Sequence, residues 1–390
     1  MISTEAWVLP AGPDGMDPRA PEPAELRRES FTLPEPGPGD VLVEPIYGCW
    51  EANLDHALAR DPIDICRQRG EDRVVLGNAG VARVLRPGPD VTGLAEGDLC
   101  LVTPFGELDP HGYVELVFGY DAPGTVGMLA KQAVMPAHVL VPLPKDSGYS
   151  ARRWAAFGRY HTAWDNWKVA YACWRSQMEL DGAAGAAPPL AFGWGGGVVF
   201  AELELAKEAG FRVAMATGNQ KRIDQLEAHG ITPVDRRLFP DLHYDAERAG
   251  DKEYRQRYKQ SEDAFLQAIA ELSDGQGVAI FLDNIGGPVY RPTTKALARQ
   301  GVLSTVGWKA GMKLWNLRAS ECIGRHLHVH THVWRFGDSP RIRDYQERTG
   351  WLAPVDGEQV YGFDQVPDLA ADFATGTLDT YFPLYEVNPL

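Results

Sequence analysis

A glycine-rich turn between an apolar run and a helical pattern is the clearest candidate for chemistry. The turn, residues 193–198, follows apolar residues 190–192 and precedes a helical pattern that ends at Gly210, after which a second strand begins. Glycines let the backbone turn tightly, and the first amides of the helix can hold a pyrophosphate. Strand, turn, helix and strand within about 30 residues favour a dinucleotide site over a turn without ligand. The predicted phosphate-binding residues are Gly193, Gly195, Gly196, Gly197 and Val198.

The residues after the second strand predict which dinucleotide binds. An NAD site would place an acidic residue here to bind the ribose hydroxyls, but the run 216–222 contains none. Lys221 and Arg222, together with Thr217 and Asn219, could bind a 2′-phosphate, which favours NADP. The alternative is that Lys221 and Arg222 only begin a solvated helix. Val199 replaces the third glycine of the fingerprint, a departure that would weaken cofactor binding.

Four alternate histidines form the best candidate for a metal site. His326, His328, His330 and His332 alternate over a strand-like run, which would place four imidazoles on one face. Alternate imidazoles on a strand, about 7 Å apart, can share a metal. No carboxylate or cysteine lies close enough in sequence to complete a ligand set. A polar strand face is therefore the favoured interpretation, and we predict no metal.

Composition narrows the class of protein. The 390 residues suffice for two domains, and the net charge of −15 argues against nucleic acid as a partner. No apolar run approaches the ~20 residues of a membrane span, and the N-terminus lacks the layout of a secretory signal. We therefore expect a cytoplasmic protein with no membrane partner. The five cysteines are widely spaced and form no C-x-x-C pair, as expected of reduced thiols.

Short β-rich runs punctuated by glycine and proline dominate the first part of the chain. They extend over residues 38–103, and a further strand at 138–144 closes the segment. Near the other end, the strand-like run 381–387 resembles a return to this unit. We predict a mostly β, barrel-like domain made from residues 1–150 and completed by 336–390.

Strand and helix patterns alternate from Ala151 onward. This alternation predicts a parallel sheet covered by helices over residues 151–335, and the glycine turn makes it a doubly wound Rossmann sheet. The charged stretch 236–263 inside this domain is interpreted as a solvated helical insertion. The predicted fold class is therefore α/β.

Several short runs together resemble the medium-chain dehydrogenase/reductase superfamily over nearly the whole chain. Each run is short, but their order and spacing are specific. The resemblance implies a GroES-like β-barrel and a Rossmann domain whose cleft holds the nicotinamide, with Thr162 near that ring. We add Asn284 and Gly307 to the predicted cofactor-binding residues. The matching runs are residues 38–43, 75–77, 88–98, 161–164 and 281–287.

The zinc-binding residues of the superfamily's alcohol dehydrogenases have no equivalents here. A cysteine, a histidine and a second cysteine or an acid hold that metal, and Trp50, Asn78 and Gly158 stand at these positions. None of the three supplies a thiolate or an imidazole, and a register error at Cys49 would restore only one ligand. The cysteine-rich structural-zinc lobe is also missing. The resemblance therefore implies the zinc-independent branch and a metal-free reaction.

The resemblance also suggests which hydrogen-bond donors act in place of the metal. The run 283–287 resembles quinone and alkenal double-bond reductases, and the charged stretch resembles an insertion in crotonyl-CoA reductase/carboxylases. Those relatives deliver hydride to the β-carbon of an activated C=C bond, so donors must stabilise the enolate that forms. Simple structural roles on a buried helix are the alternative for Tyr160 and His161. The candidate catalytic residues are Asn78, Tyr160, His161, Glu51 and Asn53.

The leading hypothesis is an NADPH-dependent, zinc-independent reductase of an activated C=C bond. The acceptor would be a small molecule: an enoyl thioester, an enone or a quinone. A metal-free carbonyl reductase is one alternative, and a cofactor-binding protein without redox turnover, suggested by Val199 and the lost zinc ligands, is another. A strand near residues 326–333 at the sheet edge would pair with its copy, which predicts a homodimer.

Overall fold

Two compact units divide the chain. The computed structural model describes residues 1–17, 20–178, 187–307, 324–331 and 334–390. One unit contains Met1–His161 and Trp334–Leu390, and the other contains Thr162–Val333. The first boundary therefore lies between His161 and Thr162, later than the position after residue 150 expected from the sequence.

The helices and strands of the described residues are mostly short. The strands are β1 (Ile2–Pro10), β2 (Arg27–Leu33), β3 (Asp40–Cys49), β4 (Arg73–Val74), β5 (Gly80–Pro87), β6 (Leu99–Val102), β7 (Phe105–Leu108), β8 (Val114–Val117), β9 (Ala133–Pro136), β10 (Leu140–Pro142), β11 (Leu190–Trp194), β12 (Arg212–Thr217), β13 (Thr232–Asp235), β14 (Val278–Asp283), β15 (Leu297–Thr305), β16 (His328–Thr331), β17 (Val360–Gly362) and β18 (Leu384–Glu386). The helices are α1 (Ala52–Ala59), α2 (Ile65–Arg69), α3 (Ala151–Trp154), α4 (Phe157–Met178), α5 (Gly197–Glu208), α6 (Gln220–Ala228), α7 (Lys252–Leu272), α8 (Gly287–Ala296), α9 (Ser339–Thr349) and α10 (Val366–Thr375). None of these helices is long and apolar enough to cross a membrane.

The main sheet of the first unit is centred on β3. Its strand order is β10, β6, β5, β3, β18, β17, and β9 also pairs with β3. The last strand of the chain, β18, runs antiparallel to β3 and places Tyr385 opposite Gly48. Only glycine fits there, because an added Cβ would lie 2.1 Å from the Tyr385 ring. The C-terminal residues thus complete the sheet that the N-terminal residues begin.

Parallel strands form the sheet of the second unit. Within the described ranges their order is β13, β12, β11, β14, β15, β16, the order of a doubly wound dinucleotide-binding sheet. The residues of β11 and β14 are all buried, as a sheet covered on both faces requires. The predicted α/β class, with a Rossmann sheet and a separate β unit, is confirmed.

Helix α7 changes the interpretation of the charged stretch 236–263. The helix connects β13 to β14 and is the crossover between two strands of the sheet. Tyr254, Tyr258 and Phe265 are buried, and Phe265 belongs to the core of the second unit. The helix is therefore solvated on one face only, and its other face carries core residues.

The histidine-rich strand is shorter than expected. His328 and His330 lie on β16, whereas His326 precedes the strand with a φ of 57°, so its side chain falls outside the alternation. His332 lies outside the described residues. In the part of the chain that the structure describes, no group of three or more His, Cys, Asp or Glu side chains could hold a metal. β16 is the edge strand of the described sheet, and the homodimer stays a prediction.

A buried carboxyl on α5 connects three elements of the second unit. Asn166 of α4 donates from Nδ2 to Glu202 Oε1, and Ser304 of β15 donates to Asn166 Oδ1 at 2.8 Å. Glu202 is fully buried, and this burial raises its pKa to about 8. At neutral pH the carboxyl is therefore largely protonated, and the network contains no buried net charge.

Substitution of Glu202 by glutamine should remove a pH-dependent loss of stability. A glutamate of the unfolded chain titrates near about 4.3, whereas folded Glu202 keeps its proton up to a pH of about 8. Its stabilising contribution is complete at low pH and is lost as the pH rises through the folded pKa. Between about pH 5 and about pH 9, the free energy of unfolding of the wild type relative to Glu202→Gln should fall by a few kcal/mol in urea titrations.

The control for this experiment is Glu208→Gln, at the exposed C-terminal end of α5. This variant should keep the pH dependence of the wild type. A stability difference between wild type and Glu202→Gln that stays constant over the range would contradict the protonated carboxyl.

Candidate functional site

The glycine turn after β11 is shaped by the side chain of Val199. A Cβ added at Gly193 would lie 2.4 Å from Val199 Cγ1, and one added at Gly195 would lie 2.9 Å from Val199 Cγ2. The two glycines thus make room for the valine that replaces the third glycine of the fingerprint. Gly196 is the N-cap of α5 and no side chain caps the helix, so the first amides of α5 are not taken by a capping group. The turn fits a pyrophosphate despite the departure at Val199.

The ends of three neighbouring strands meet at this turn. A Cβ added at Gly195 would lie 3.0 Å from Asn284 Cβ, beyond the end of β14. The Asn284 Oδ1 atom accepts from the backbone N–H groups of Val306 and Gly307, each at 3.4 Å, just after β15. Gly307 must be glycine, since an added Cβ would lie 2.7 Å from the Asn284 carbonyl oxygen. The structure therefore brings together Gly195, Asn284 and Gly307, as a crevice at the carboxyl ends of the strands requires.

Asp283 fixes the backbone that carries Asn284. Its carboxylate accepts from the N–H groups of Ile285 at 2.9 Å and Gly286 at 3.0 Å, and from Thr293 Oγ1 at 3.2 Å. Complete burial raises the pKa of Asp283 to about 6, although these hydrogen bonds oppose the shift. The buried Asp283 carboxyl therefore holds the backbone of residues 283–287 in this conformation.

The residues predicted to select NADP lie at the end of β12. The Asn219 side chain caps α6, accepting from the N–H of Arg222 at 3.2 Å, and the Asn219 N–H donates to Thr217 Oγ1 at 3.4 Å. Lys221 and Arg222 lie in the first turn of α6. Thr162 is buried on α4. The Asn219 oxygen thus positions the helix that carries the two basic residues.

The sequence prediction omitted a third basic residue, Arg236. A Cβ added at Gly218 would lie 2.9 Å from Arg236 Nε and 3.1 Å from Arg236 Cγ, so this side chain covers the turn after β12. Its neighbour Arg237 donates from Nη2 to Asp235 at 2.7 Å, whereas no described acid pairs with Arg236. The sequence could have indicated Arg236, because two arginines directly follow β13, which is parallel to β12.

A cluster of buried polar groups in the first unit surrounds Trp50 and Gly158, two of the three positions that the sequence resemblance matched to zinc ligands. A Cβ added at Gly158 would lie 2.8 Å from Ala79 Cβ and 3.3 Å from Glu51 Oε1. Arg159 donates from Nη2 to the carbonyl oxygen of Trp50. The Trp50 ring meets that of Tyr385 edge-on, with centroids 6.4 Å apart. We call this set, with Asn78 and Cys49, the polar cluster.

Burial and the Arg159 guanidinium determine which groups of the polar cluster are protonated. Desolvation raises the pKa of Cys49 to about 11, so the thiol stays protonated at neutral pH, although Arg159 opposes the shift. Desolvation also raises the pKa of the Glu51 carboxyl, again against the field of Arg159. Burial and the neighbouring Cys49 and Glu51 raise the pKa of Tyr385. The groups that donate hydrogen bonds therefore keep their protons.

Several polar atoms of the cluster have no protein partner among the described residues. They are Trp50 Nε1, Asn78 Nδ2, Asn78 Oδ1, Arg159 Nε and Tyr385 Oη. Their side chains are at least nine-tenths buried, with exposures of 0% for Trp50 and Tyr385, 2% for Asn78 and 8% for Arg159. Leaving a buried polar group unsatisfied costs about 1–3 kcal/mol. Trp50 contacts both Arg159 and Tyr385, and Asn78 precedes Ala79, which faces Gly158. We therefore treat these residues as a candidate site for a polar ligand.

Solved structures similar to this one share a single architecture. The crotonyl-CoA carboxylase/reductase AntE in complex with NADP superposes with a TM-score of 0.75 and 18% identity, covering 99% of this chain and 95% of that one. The 2-octenoyl-CoA carboxylase reductase CinF, in complex with NADP and 2-octenoyl-CoA, gives a TM-score of 0.74 and 18% identity, covering 98% and 87%. The 2R,3R-butanediol dehydrogenase from Bacillus subtilis gives a TM-score of 0.67 and 17% identity, covering 98% and 100%. The chain has the medium-chain dehydrogenase/reductase fold.

Sequence comparison finds similarity over a smaller part of the chain. A glucose 1-dehydrogenase from Thermoproteus tenax is 28% identical over 137 residues, which cover 32% of this chain and 37% of that protein. No protein-family model matches the chain. The medium-chain fold is therefore recognised mainly from structural similarity.

The catalytic zinc of some medium-chain enzymes does not fit the polar cluster. Trp50, Asn78 and Gly158 offer no thiolate, imidazole or carboxylate, the nearby Cys49 thiol holds its proton, and Glu51 adds a single carboxyl to a metal that prefers four ligands. The Arg159 guanidinium beside them would repel a divalent cation. The arrangement can instead hold an electron-rich oxygen through neutral and charged N–H and O–H donors.

The other predicted catalytic residues lie in different surroundings. Tyr160 is fully buried and its ring packs against Trp351, with centroids 4.7 Å apart. His161 is also fully buried, and its Nε2 lies 3.1 Å from Ser339 Oγ. Asn53 is half-buried on α1, where its Oδ1 accepts from the next N–H. Glu51, by contrast, lies beside Gly158, since a Cβ added at Gly158 would lie 3.3 Å from Glu51 Oε1.

Replacement of Asn78 by leucine should stabilise the protein. Leucine has nearly the same shape and leaves no amide buried without partners, so the free energy of unfolding should rise by about 1 kcal/mol or more. The matched control is Asn166→Leu, because Asn166 is equally buried but bonded to Glu202 and Ser304. Its melting temperature should fall. A lower melting temperature for both variants would show that Asn78 is bonded within the folded protein.

Proposed function

We propose that the protein is an NADPH-dependent oxidoreductase that reduces an activated C=C bond without a metal. The acceptor is an enoyl thioester, an enone or a quinone. The observation that carries the proposal is the polar cluster, which presents buried donors at the positions where related enzymes hold zinc. Such donors suit an oxygen that gains negative charge during the reaction.

The cofactor would lie on the second unit. The N–H groups at the start of α5, with the turn formed by Gly193, Gly195 and Gly196, would hold the pyrophosphate. Arg236 and the first turn of α6 would bind the 2′-phosphate. When bound, NADPH supplies a hydride to the acceptor. The similar structures AntE and CinF hold NADP, which supports this assignment.

The chemistry of the acceptor explains why donors are needed. The hydride, a proton with two electrons, forms a C–H bond at the β-carbon while the π bond of the alkene breaks. The displaced electron pair moves onto the carbonyl oxygen as an enolate, and a proton later adds to the α-carbon. The Asn78 amide would donate a hydrogen bond to that oxygen as its charge grows. Loss of one such donor typically costs about 2.7–4 kcal/mol of barrier.

Tyr160 and His161 remain predicted proton donors for the α-carbon. Their aromatic surroundings equally suit a positioning role, in which they fix the first turn of α4 and thereby the neighbouring Gly158 and Arg159. Glu51, whose carboxyl lies close to the Gly158 position and has a raised pKa, is a further proton donor in this proposal.

Metal-free reduction of a carbonyl is the second candidate. The hydride would then form its bond with the carbonyl carbon, and the same donors would hold the alkoxide oxygen. The similarity to a butanediol dehydrogenase and a glucose dehydrogenase favours this reading. Val199 and the lost zinc ligands suggested a cofactor-binding protein without redox turnover. The glycine turn accommodates Val199, so the first of these two reasons no longer applies.

Oxidation of NADPH over a panel of acceptors tests the reaction class. Enoyl thioesters, enones or quinones should be reduced faster than aldehydes and ketones, and a chelator should not slow the reaction. In single-turnover experiments Asn78→Ala should slow hydride transfer by roughly 10²–10³ with little change in NADPH affinity. Tyr160→Phe and His161→Ala serve as comparisons, and an effect below about tenfold would assign them positioning or structural roles. Faster turnover of aldehydes than of every alkene would replace the proposal by its alternative.

Cofactor selection is tested with Arg236→Ala. Because a guanidinium bonds strongly to a phosphate, this variant should bind NADPH at least about tenfold more weakly, with unchanged NADH affinity in calorimetry. The matched control is Arg237→Ala, since Arg237 is already paired with Asp235. The double variant Lys221→Ala, Arg222→Ala measures how much the two basic residues of α6 contribute to NADPH affinity. Equal losses for both dinucleotides, or no loss, would remove Arg236 from the site.

A further inference from the structure

We infer that Arg159 carries the positive charge of a site for an oxyanion on a planar carbon, such as a carboxylate or an enolate. The inference rests on the proposed function and specifies the group that the polar cluster binds. Arg159 was not among the residues predicted from the sequence. Three observations support it: the missing counter-ion, the donors around it and the elements that hold it in place.

Arg159 differs from the other buried arginines of its unit. In the described part of the chain these are Arg60 and Arg69, each 6% exposed, and each is paired with a carboxylate, Asp64 or Glu71. Arg159 is 8% exposed and forms no ion pair with a described residue. The nearby Glu51 carboxyl lies in the field of Arg159 but forms no ion pair with it, and burial favours the uncharged form of that carboxyl. A buried charge is costly unless it is paired, so an anion bound beside Arg159 would offset this cost.

The neighbours of Arg159 define the chemistry of that anion. Among the atoms of the polar cluster without a protein partner, Trp50 Nε1, Asn78 Nδ2 and Arg159 Nε can only donate hydrogen bonds. The Tyr385 hydroxyl can donate as well, and Asn78 Oδ1 is the one pure acceptor in the set. A ligand that satisfies this set must be mainly an acceptor and must be negative. A carboxylate or enolate oxygen has both properties, whereas a cation or an ammonium group has neither.

The guanidinium is held in a defined position. Its Nη2 donates to the Trp50 carbonyl oxygen at the end of β3, and its backbone belongs to the first turn of α4. The Nη2 atom of the guanidinium is therefore anchored, while its Nε atom stays without a protein partner among the described residues. Arginine suits this role better than lysine, because its planar fork keeps its geometry and its charge is less strongly hydrated.

Binding of a small carboxylate tests the site without turnover. Butyrate, titrated at constant ionic strength, should raise the melting temperature of the wild type and give a measurable Kd by calorimetry. Arg159→Gln should weaken butyrate binding at least tenfold, and Arg159→Lys should fall between the two. The matched control is Arg69→Gln, which removes an equally buried arginine that is paired with Glu71; it should lower the melting temperature and leave the butyrate Kd unchanged.

Hydride transfer to an uncharged enone separates the two sources of the oxyanion. If Arg159→Gln slows single-turnover transfer at least tenfold with NADPH affinity unchanged, the site holds the enolate. If only butyrate binding is lost, the site holds a carboxylate of the substrate. Butyrate affinity equal to that of the wild type, together with unchanged transfer, would overturn the inference. Should Arg159→Gln fail to fold, Arg159→Lys and Asn78→Leu provide the same comparison.

The proposed function and this inference can fail separately. A wild type that reduces no acceptor but binds butyrate through Arg159 would refute the reductase and keep the anion site. A wild type that reduces enones at a rate independent of Arg159, with no Arg159-dependent butyrate binding, would keep the reductase and refute the anion site.

Discussion

The hydrogen bond from Arg159 to the Trp50 carbonyl oxygen is the contact on which the first unit's site depends. It joins the first turn of α4 to the residue after β3, and so holds a buried guanidinium beside Trp50. The cation is fixed by covalent structure and needs no metal-binding equilibrium. Its presence also excludes a second cation, because like charges in a poorly solvated interior repel strongly.

The second unit depends on close packing where strands end. Gly193 and Gly195 leave the space that Val199 fills, and Gly307 allows the backbone after β15 to approach Asn284. These contacts leave no room for a methyl group, so they fix the turn without capping side chains. The buried Asp283 then holds the backbone of the next turn through two N–H groups. The N–H groups at the start of α5 have no capping side chain, and such groups suit a phosphate.

Two buried asparagines of the protein differ in their hydrogen bonding. In the second unit, Asn166 bonds to Glu202 and Ser304, and the raised pKa of Glu202 removes a charge that burial would penalise. In the polar cluster, Asn78 and the Nε of Arg159 stay without protein partners. The first arrangement contributes stability, and the second gives stability up at a place where a ligand can restore it. Functional sites commonly show this exchange of stability for unsatisfied donors.

The sequence by itself determined the fold class and the glycine turn between β11 and α5, because these follow from residue types at fixed spacings. It also proposed Asn78 as a hydrogen-bond donor, which stays a prediction. It could not identify Arg159 or Arg236, since each acquires its role from a residue distant in the chain or on a neighbouring strand: Trp50 for Arg159 and Gly218 for Arg236. The charged sequence of α7 likewise did not reveal the buried face that Tyr254, Tyr258 and Phe265 form. Tertiary structure decided these points, because only the packed chain determines which polar groups lose water and which of them find a partner.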